Sequence, residues 1–398
     1  MENTKQVHCV CGGFGFPVGT ASSNRVMLIG RALYKAGITF HVWHIGPSSY
    51  PQNTTRRGML YGITWEYLSP STKRPVSRFL RILYFFYGCL LLPCRLIPLR
   101  RKIIVFLFSQ GDLINIWVLL VCKVLNISVA QECNEWWPDT PSKTSFNRWM
   151  YSKIMFHMSS GALSISSKIE SHIHKINAKK EYPVLRVPVL VDSDEVRLQR
   201  EHKPLTVGEI SPYLFWCGMV DGYQVDIIFL VKVLGVVGKE HNLWPKMVVS
   251  GPCGEAGRRA IREAVEQHGV IENQVIITGF VQETELFRLA THGAVLLLPL
   301  WDDERSKTRF PTKLGLYAAA GRPIISCPIG EIPSFLEDGT TALFAPPGDE
   351  IAWANHIARF LQDDELCARI VENLSEGVLP RLDYRYFDKS LKNWFMDL

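Results

Sequence analysis

The chain has 398 residues, 47% hydrophobic and 21% charged, which is enough for packed cores and favours two domains over one. Gly and Pro are scattered, and neither a repeat nor a low-complexity tract is found, so fibrous and disordered classes are excluded. The net charge of +6 hides a split: residues 1–200 carry 25 Lys+Arg against 11 Asp+Glu (+14), and residues 201–398 carry 19 against 27 (−8).

In chain order, short apolar runs alternate with amphipathic segments. Strands are expected at Val7–Cys11, Thr39–Ile45, Ile103–Phe108, Ile127–Ala130 and Ala162–Ile165. Helices are expected near 21–36, 77–97, 113–125, 144–158 and 167–177. Such alternation predicts a parallel sheet covered on both faces. The polar run 192–212 lacks a hydrophobic period and reads as a linker. Alternation then restarts, with strands at Tyr213–Gly218, Met247–Ser250, Val275–Thr278, Ala294–Leu298 and Pro323–Ser326. Helices fit near 225–239, 256–268, 283–291, 311–320, 331–336, 349–362 and 364–374. A last helix near 384–397 carries Tyr384, Phe387, Leu391, Trp394 and Phe395, an aromatic stripe suited to closing over the first domain. The expected fold class is α/β: two facing Rossmann-like doubly wound domains, at 1–195 and 205–380, with 381–398 crossing back to the first. Ligands of such sheets bind at the carboxyl ends of the strands.

The basic first half suits an anionic partner, either a membrane surface or a phosphate-bearing ligand; a domain that happens to be basic is the plain alternative. Ile82–Cys94 is uncharged, but thirteen helical residues reach only about 20 Å, short of a bilayer core. Cations flank this run across residues 73–102, so contact with a membrane surface is read rather than a span. The ten cysteines show no metal or disulfide spacing and read as reduced thiols. The histidines offer no metal spacing, no nucleophile elbow is present, and the basic half has no nucleic-acid reading motif. The amino end lacks the pattern of a secretory signal, so a cytoplasmic protein, peripheral on the inner face of the membrane, is expected.

Two constellations carry chemistry. The first strand runs into Gly12-Gly13-Phe14-Gly15-Phe16-Pro17-Val18-Gly19-Thr20 and a helix capped by Thr20 or Ser22. Glycines let backbone N–H groups approach an anion, so Gly12, Gly13, Gly15, Gly19 and Thr20 read as an acceptor or phosphate loop; a tight turn is the alternative. It is neither GxGxxG nor a P-loop. Glu132 and Glu135, in QECNEWW after a strand, are candidate catalytic bases, and Trp136 and Trp137 could stack on a sugar or touch headgroups. In the second half, glycine or proline closes four strands at their ligand-binding ends, as at Gly218 and Gly251. RSKTRFPTK places Arg305, Lys307, Arg309 and Lys313 around a helix start at Pro311, which suits a diphosphate.

PTKLGLYAAAGRPIISCPIGEIPSFLEDGTTALFAPPGD resembles the donor-binding core of glycosyltransferase family 4, the group 1 transferases of GT-B fold. GFVQETELFRLATHGAVLLLP, the opening glycine loop and ECNEWW are similar to that family too. The resemblance covers nearly the whole chain and is strongest from 273 to 348. It implies a nucleotide-diphospho-sugar co-substrate on the second domain and a lipid-linked or saccharide acceptor on the first. It implies retention of anomeric configuration, no metal and no further cofactor. The base would lie near Phe280 and Val281, and the diphosphate near Thr308 to Pro311. Two family glutamates fall on Thr308 and Leu316, and the usual Arg and Lys fall on Met219 and Gln224; Leu316 cannot accept the ribose hydrogen bonds, and neither Met219 nor Gln224 can neutralise phosphate. Arg305, Lys307, Arg309 or Lys313 would have to compensate. Two alternatives stay open: a non-catalytic subunit partnering an active glycosyltransferase, and a sugar-nucleotide epimerase of the same fold.

Overall fold

A computed structural model describes residues 6–109, 112–139, 144–178, 181–208, 212–271 and 273–398. The chain forms two units, residues 1–190 with 384–398, and residues 191–383.

The first unit is built on an eight-stranded sheet. Its strands are β1 (Gln6–Gly12), β2 (Phe40–His44), β3 (Arg57–Leu60), β4 (Ile63–Tyr67), β5 (Ile103–Ser109), β6 (Val129–Cys133), β7 (Gly161–Ser164) and β8 (Val184–Arg186). Their order is β3-β4-β2-β1-β5-β6-β7-β8, parallel throughout except for the β3–β4 pair. Cys9, Val105, Phe106 and Ala130 are fully buried, as central strands covered on both faces require. The order reverses between β1 and β5, which makes the loop after β1 the expected ligand position. The β3–β4 hairpin lies outside the expected strands. Its outer strand is mostly exposed, and it turns on Tyr61 and Gly62, both at positive φ (53° and 80°), the geometry of a two-residue hairpin.

The segment Tyr384–Leu398 completes this unit. Tyr384, Phe387, Leu391 and Phe395 are buried, and the Phe395 ring meets Phe106 edge-on at 5.8 Å. Lys35 pairs with Asp388 at 3.3 Å, and Lys392 Nζ donates to Ala36 O. Full burial of Leu391 and Phe395 contributes about 1.5–3 kcal/mol each.

The second unit holds β9 (Tyr213–Cys217), β10 (Lys246–Ser250), β11 (Val275–Gly279), β12 (Val295–Leu298), β13 (Ile324–Ser326) and β14 (Leu343–Phe344). The order β11-β10-β9-β12-β13-β14 is all parallel. It is the Rossmann order, with its reversal between β9 and β12.

Residues 192–208 are not the free linker that their polarity suggests, and 209–211 lie outside the described residues. Helix Ser193–Leu198 starts with the Ser193 backbone and hydroxyl donating to Asp383. Further on, the Leu205 and Thr206 amides donate to Glu285 Oε1. Polar side chains anchor this stretch to the second unit, so a hydrophobic period could not reveal it. The helix expected at 144–158 is also interrupted, by a π-helical turn over Tyr151–Met155. All ten cysteines are free thiols.

Candidate functional site

In the second unit three loops leave adjacent strands side by side. Gly218 N donates to Ser250 O, and Gly251 N donates to Gly279 O, both at 2.9 Å. A Cβ on Gly251 would strike the Gly218 carbonyl, and both glycines hold positive φ (140° and 152°). Glycine is therefore required at these two predicted ligand positions by loop-to-loop packing.

The next helix, Glu255–His268, does not present its N-terminus to a ligand. The Gly254 amide donates to both Asp221 carboxylate oxygens, at 3.1 and 3.0 Å. That internal anion satisfies the helix end. Cationic groups gather instead at the β9/β12 reversal. Tyr223 precedes helix Gln224–His241, which follows β9. Arg309 Nη1 donates to the Tyr223 hydroxyl at 3.2 Å, Arg305 lies 5.8 Å from the ring centroid, and Lys313 Nζ lies 5.3 Å from it. Lys313 also sits 3.7 Å over the buried Trp216 ring. Burial lowers the Lys313 pKa to about 8, against the opposing pull of Cys217 and Asp226. Asp226 is buried, which raises its pKa; Lys313 opposes that rise, and Trp301 Nε1 donates to its Oδ1 at 2.8 Å. Three positive charges gather around one phenol at the reversal of the sheet, an arrangement chemically suited to a polyanion.

The fourth predicted cation is elsewhere: Lys307 pairs with Asp302 at 2.5 Å. The helix start is also revised. Pro311 does not open a helix over 311–320; two helices, Glu304–Thr308 and Lys313–Ala320, flank it. The first is capped by Asp303, and Phe310 is buried against Phe335. Thr308, predicted to meet the donor, is 2% exposed and its hydroxyl donates to Glu304 O within its own helix. Phe280 is half exposed just past β11, with Val281 beside it. Met219 is exposed, and Gln224 and Leu316 are partly buried. Sequence reasoning missed Tyr223, Trp216, Asp226 and Trp301. Tyr223 could have been found from its place between β9 and its helix, but Trp216 reads as strand core.

In the first unit the glycine loop is held by its own side chains. Thr20 is the N-cap, closed by Ser23 in a capping box. Ser23 Oγ donates to Gly15 O at 2.5 Å, and Asn53 accepts from Val18 N while donating to Val18 O. Tyr67 accepts from Phe16 N and donates to Phe16 O. A Cβ at Gly15 or Gly19 would collide with these groups, and Gly12 is buried. Gly13 and Thr20 are exposed, and space is open around Gly13. The His44 ring lies between the Gly46 and Phe14 carbonyl oxygens; burial lowers its pKa, although both carbonyls favour its proton.

The two candidate bases differ. Glu132 is not open to an acceptor: its side chain is 2% exposed and pairs with Arg25 Nε at 2.7 Å. Arg25 also donates to the carbonyls of Pro188 and Val187, at 2.6 and 2.9 Å. Burial pushes the Glu132 pKa up while Arg25 pulls it down. Glu132 thus orders β6 and the chain near Val187. Glu135 lies partly exposed beyond it, and its carbonyl accepts from the Tyr151 hydroxyl. Trp136 and Trp137 are buried against Tyr151, Phe156 and His172, so they stack on the core rather than on a sugar or headgroup.

Comparison with known proteins bears on the fold and on part of the second unit. Residues 211–363 match the family "Glycosyl transferases group 1". A 114-residue stretch is 30% identical to a 2-deoxystreptamine N-acetyl-D-glucosaminyltransferase of Niallia circulans, covering 29% of this chain and 28% of that protein. Among solved structures, sucrose-phosphate synthase of Thermosynechococcus elongatus superposes with a TM-score of 0.74 at 15% identity, over 99% of both chains. HepE of Anabaena, in complex with UDP, does so with a TM-score of 0.72 at 12% identity, over 99% of this chain and 100% of that one. The chain therefore has the fold of two Rossmann-like domains seen in GT-B glycosyltransferases, and its residues 211–363 resemble the group 1 glycosyl transferases.

Proposed function

We propose that the protein transfers a sugar from a nucleotide-diphospho-sugar to a lipid-linked or saccharide acceptor in the synthesis of a cell-surface polysaccharide or glycoconjugate. The observation that carries this reading is the gathering of Arg305, Arg309 and Lys313 around Tyr223 at the sheet reversal of the second unit. These groups supply the positive charge that Met219 and Gln224 lack, and they suit the diphosphate of a donor. HepE, a protein of the same fold, is solved in complex with UDP, which supports a nucleotide ligand for this chain. The acceptor falls to the first unit, beside Gly13, Thr20 and Glu135. Retention of anomeric configuration and independence from metal follow from the family resemblance.

Calorimetric titration of the full chain with UDP, GDP and ADP tests the reading. One nucleotide should bind, and replacing Arg305, Arg309 and Lys313 together should remove that binding. No binding of any nucleotide would refute the donor assignment. The burial of Glu132 favours a second reading, a non-catalytic subunit of an active glycosyltransferase. That subunit would show no turnover of UDP-sugars alone and would co-purify with a second transferase. An epimerase would release a free nucleotide or an epimerised sugar without acceptor.

A further inference from the structure

Helix Arg78–Leu96 is the crossover between β4 and β5, and its two faces differ. The inner stripe of Gly88, Leu92 and Leu96 is buried, and the Phe85 ring packs against Gly12 and Gly46. Phe79, Ile82, Phe86 and Leu90 recur at helical spacing on the outer face and are 72%, 61%, 60% and 54% exposed. Helix Asp112–Val124 lies alongside, tied by Trp117 Nε1 donating to Cys89 O at 3.0 Å. Its Leu113, Leu120 and Val124 are exposed at the same helical spacing. Soluble proteins rarely leave so large an apolar face bare.

The charge around this face identifies what covers it. Between Glu66 and Asp112 the sequence holds eight Lys and Arg and no acidic residue. Arg78, Arg100, Arg101 and Lys102 stand exposed at the two ends of the helix. We infer that the outer faces of helices Arg78–Leu96 and Asp112–Val124 form a docking surface for an anionic lipid bilayer, with the apolar side chains in the acyl boundary and the arginines on headgroup phosphates. Pro93 is carried inside the helix, so the helix runs beyond the thirteen uncharged residues at both ends, and by length and composition Arg78–Leu99 could cross a bilayer. It docks rather than spans because its inner stripe packs on the sheet and both its ends return to strands. Phe85 places the Gly12–Thr20 loop next to the docked helix, so an acceptor carried on a lipid would meet that loop from the membrane. This last point rests on the transfer reading; the docking itself does not.

The test is flotation of the full chain on vesicles of phosphatidylglycerol and phosphatidylcholine in equal parts, against phosphatidylcholine alone. The protein should float with the anionic vesicles and only weakly with the neutral ones, and added salt should weaken the anionic binding. Arg78→Gln/Arg100→Gln/Arg101→Gln should lower partitioning roughly a hundredfold. Phe79→Ser/Phe86→Ser/Leu90→Ser should lower it at least about tenfold. Both triple variants change exposed side chains, so the thermal midpoint and nucleotide binding should hold; should the apolar variant unfold, the arginine variant decides. Failure of the wild type to float, or equal flotation on both vesicles, overturns the inference. So does a dimer in sedimentation equilibrium that the apolar variant dissociates, because a second copy would then cover this face. Nucleotide titration is a separate measurement, so failure of docking and failure of the donor reading are distinguishable.

Discussion

The strand ends of the two sheets treat charge in opposite ways. In the first unit, charged and polar groups near the ligand end are absorbed by the fold: Glu132 by Arg25, Asn53 by Val18, and His44 by two carbonyls. In the second, three cations are held around an aromatic surface at the reversal of strand order. The first arrangement fixes a loop in shape; the second leaves a concentration of positive charge that the proposed donor diphosphate would neutralise. A residue type at a strand end therefore identifies a site only when its partner is known.

The largest expected effect tests the absorbed side. Arg25→Leu leaves Glu132 buried without its partner and should destabilise the protein by about 3–5 kcal/mol in urea unfolding. Glu132→Gln sharpens the contrast: a loss of transfer with an unchanged unfolding midpoint would restore Glu132 as a base and break it. On the other side, Arg305→Gln/Arg309→Gln/Lys313→Met should weaken nucleotide binding by about a hundredfold or more in calorimetry. Lys307→Gln, which removes the partner of Asp302, should change it by less than about threefold.

Two pH effects are smaller. Burial lowers the pKa of His8 to about 3 and that of His41 to about 4, from 6.5. Between those values the unfolded chain binds protons that the folded chain does not, so stability should fall as pH drops below 6.5, levelling near 3. His8→Gln should reduce the loss measured between neutral and acid pH. In the second unit, Lys313 loses its charge as pH rises through about 8. Nucleotide affinity should then decline severalfold between pH 7 and 9, and Lys313→Met should flatten that profile. An unchanged slope would remove Lys313 from the binding surface.

The architecture was legible where a local pattern carries it. Buried runs such as Ile103–Phe108 read as strands because both faces are apolar, and the turns at Gly218 and Gly251 marked their ends. The hairpin from Arg57 was not legible, since its outer strand faces water and Tyr-Gly is not a common turn pair. Of the candidate site, the sequence shows the cations but not the group they gather around: Tyr223 gains meaning only when Arg309, far along the chain, reaches its hydroxyl. The pairing of Glu132 is hidden in the sequence for the same reason, because Arg25 sits 107 positions away. Trp136 and Trp137 resembled a sugar platform until the π-helical turn brought Tyr151 beneath them.

The return of Tyr384–Leu398 to the first unit has a consequence for biosynthesis. Phe395 and Leu391 complete a core whose other strands leave the ribosome much earlier. The second unit is continuous from Val191 to Asp383 and can close as soon as it emerges, whereas the first must wait with an unfilled apolar groove. Folding of the first unit therefore waits on Tyr384–Leu398 although most of it is made first, and the nascent first unit is the part that a chaperone would be called on to shield.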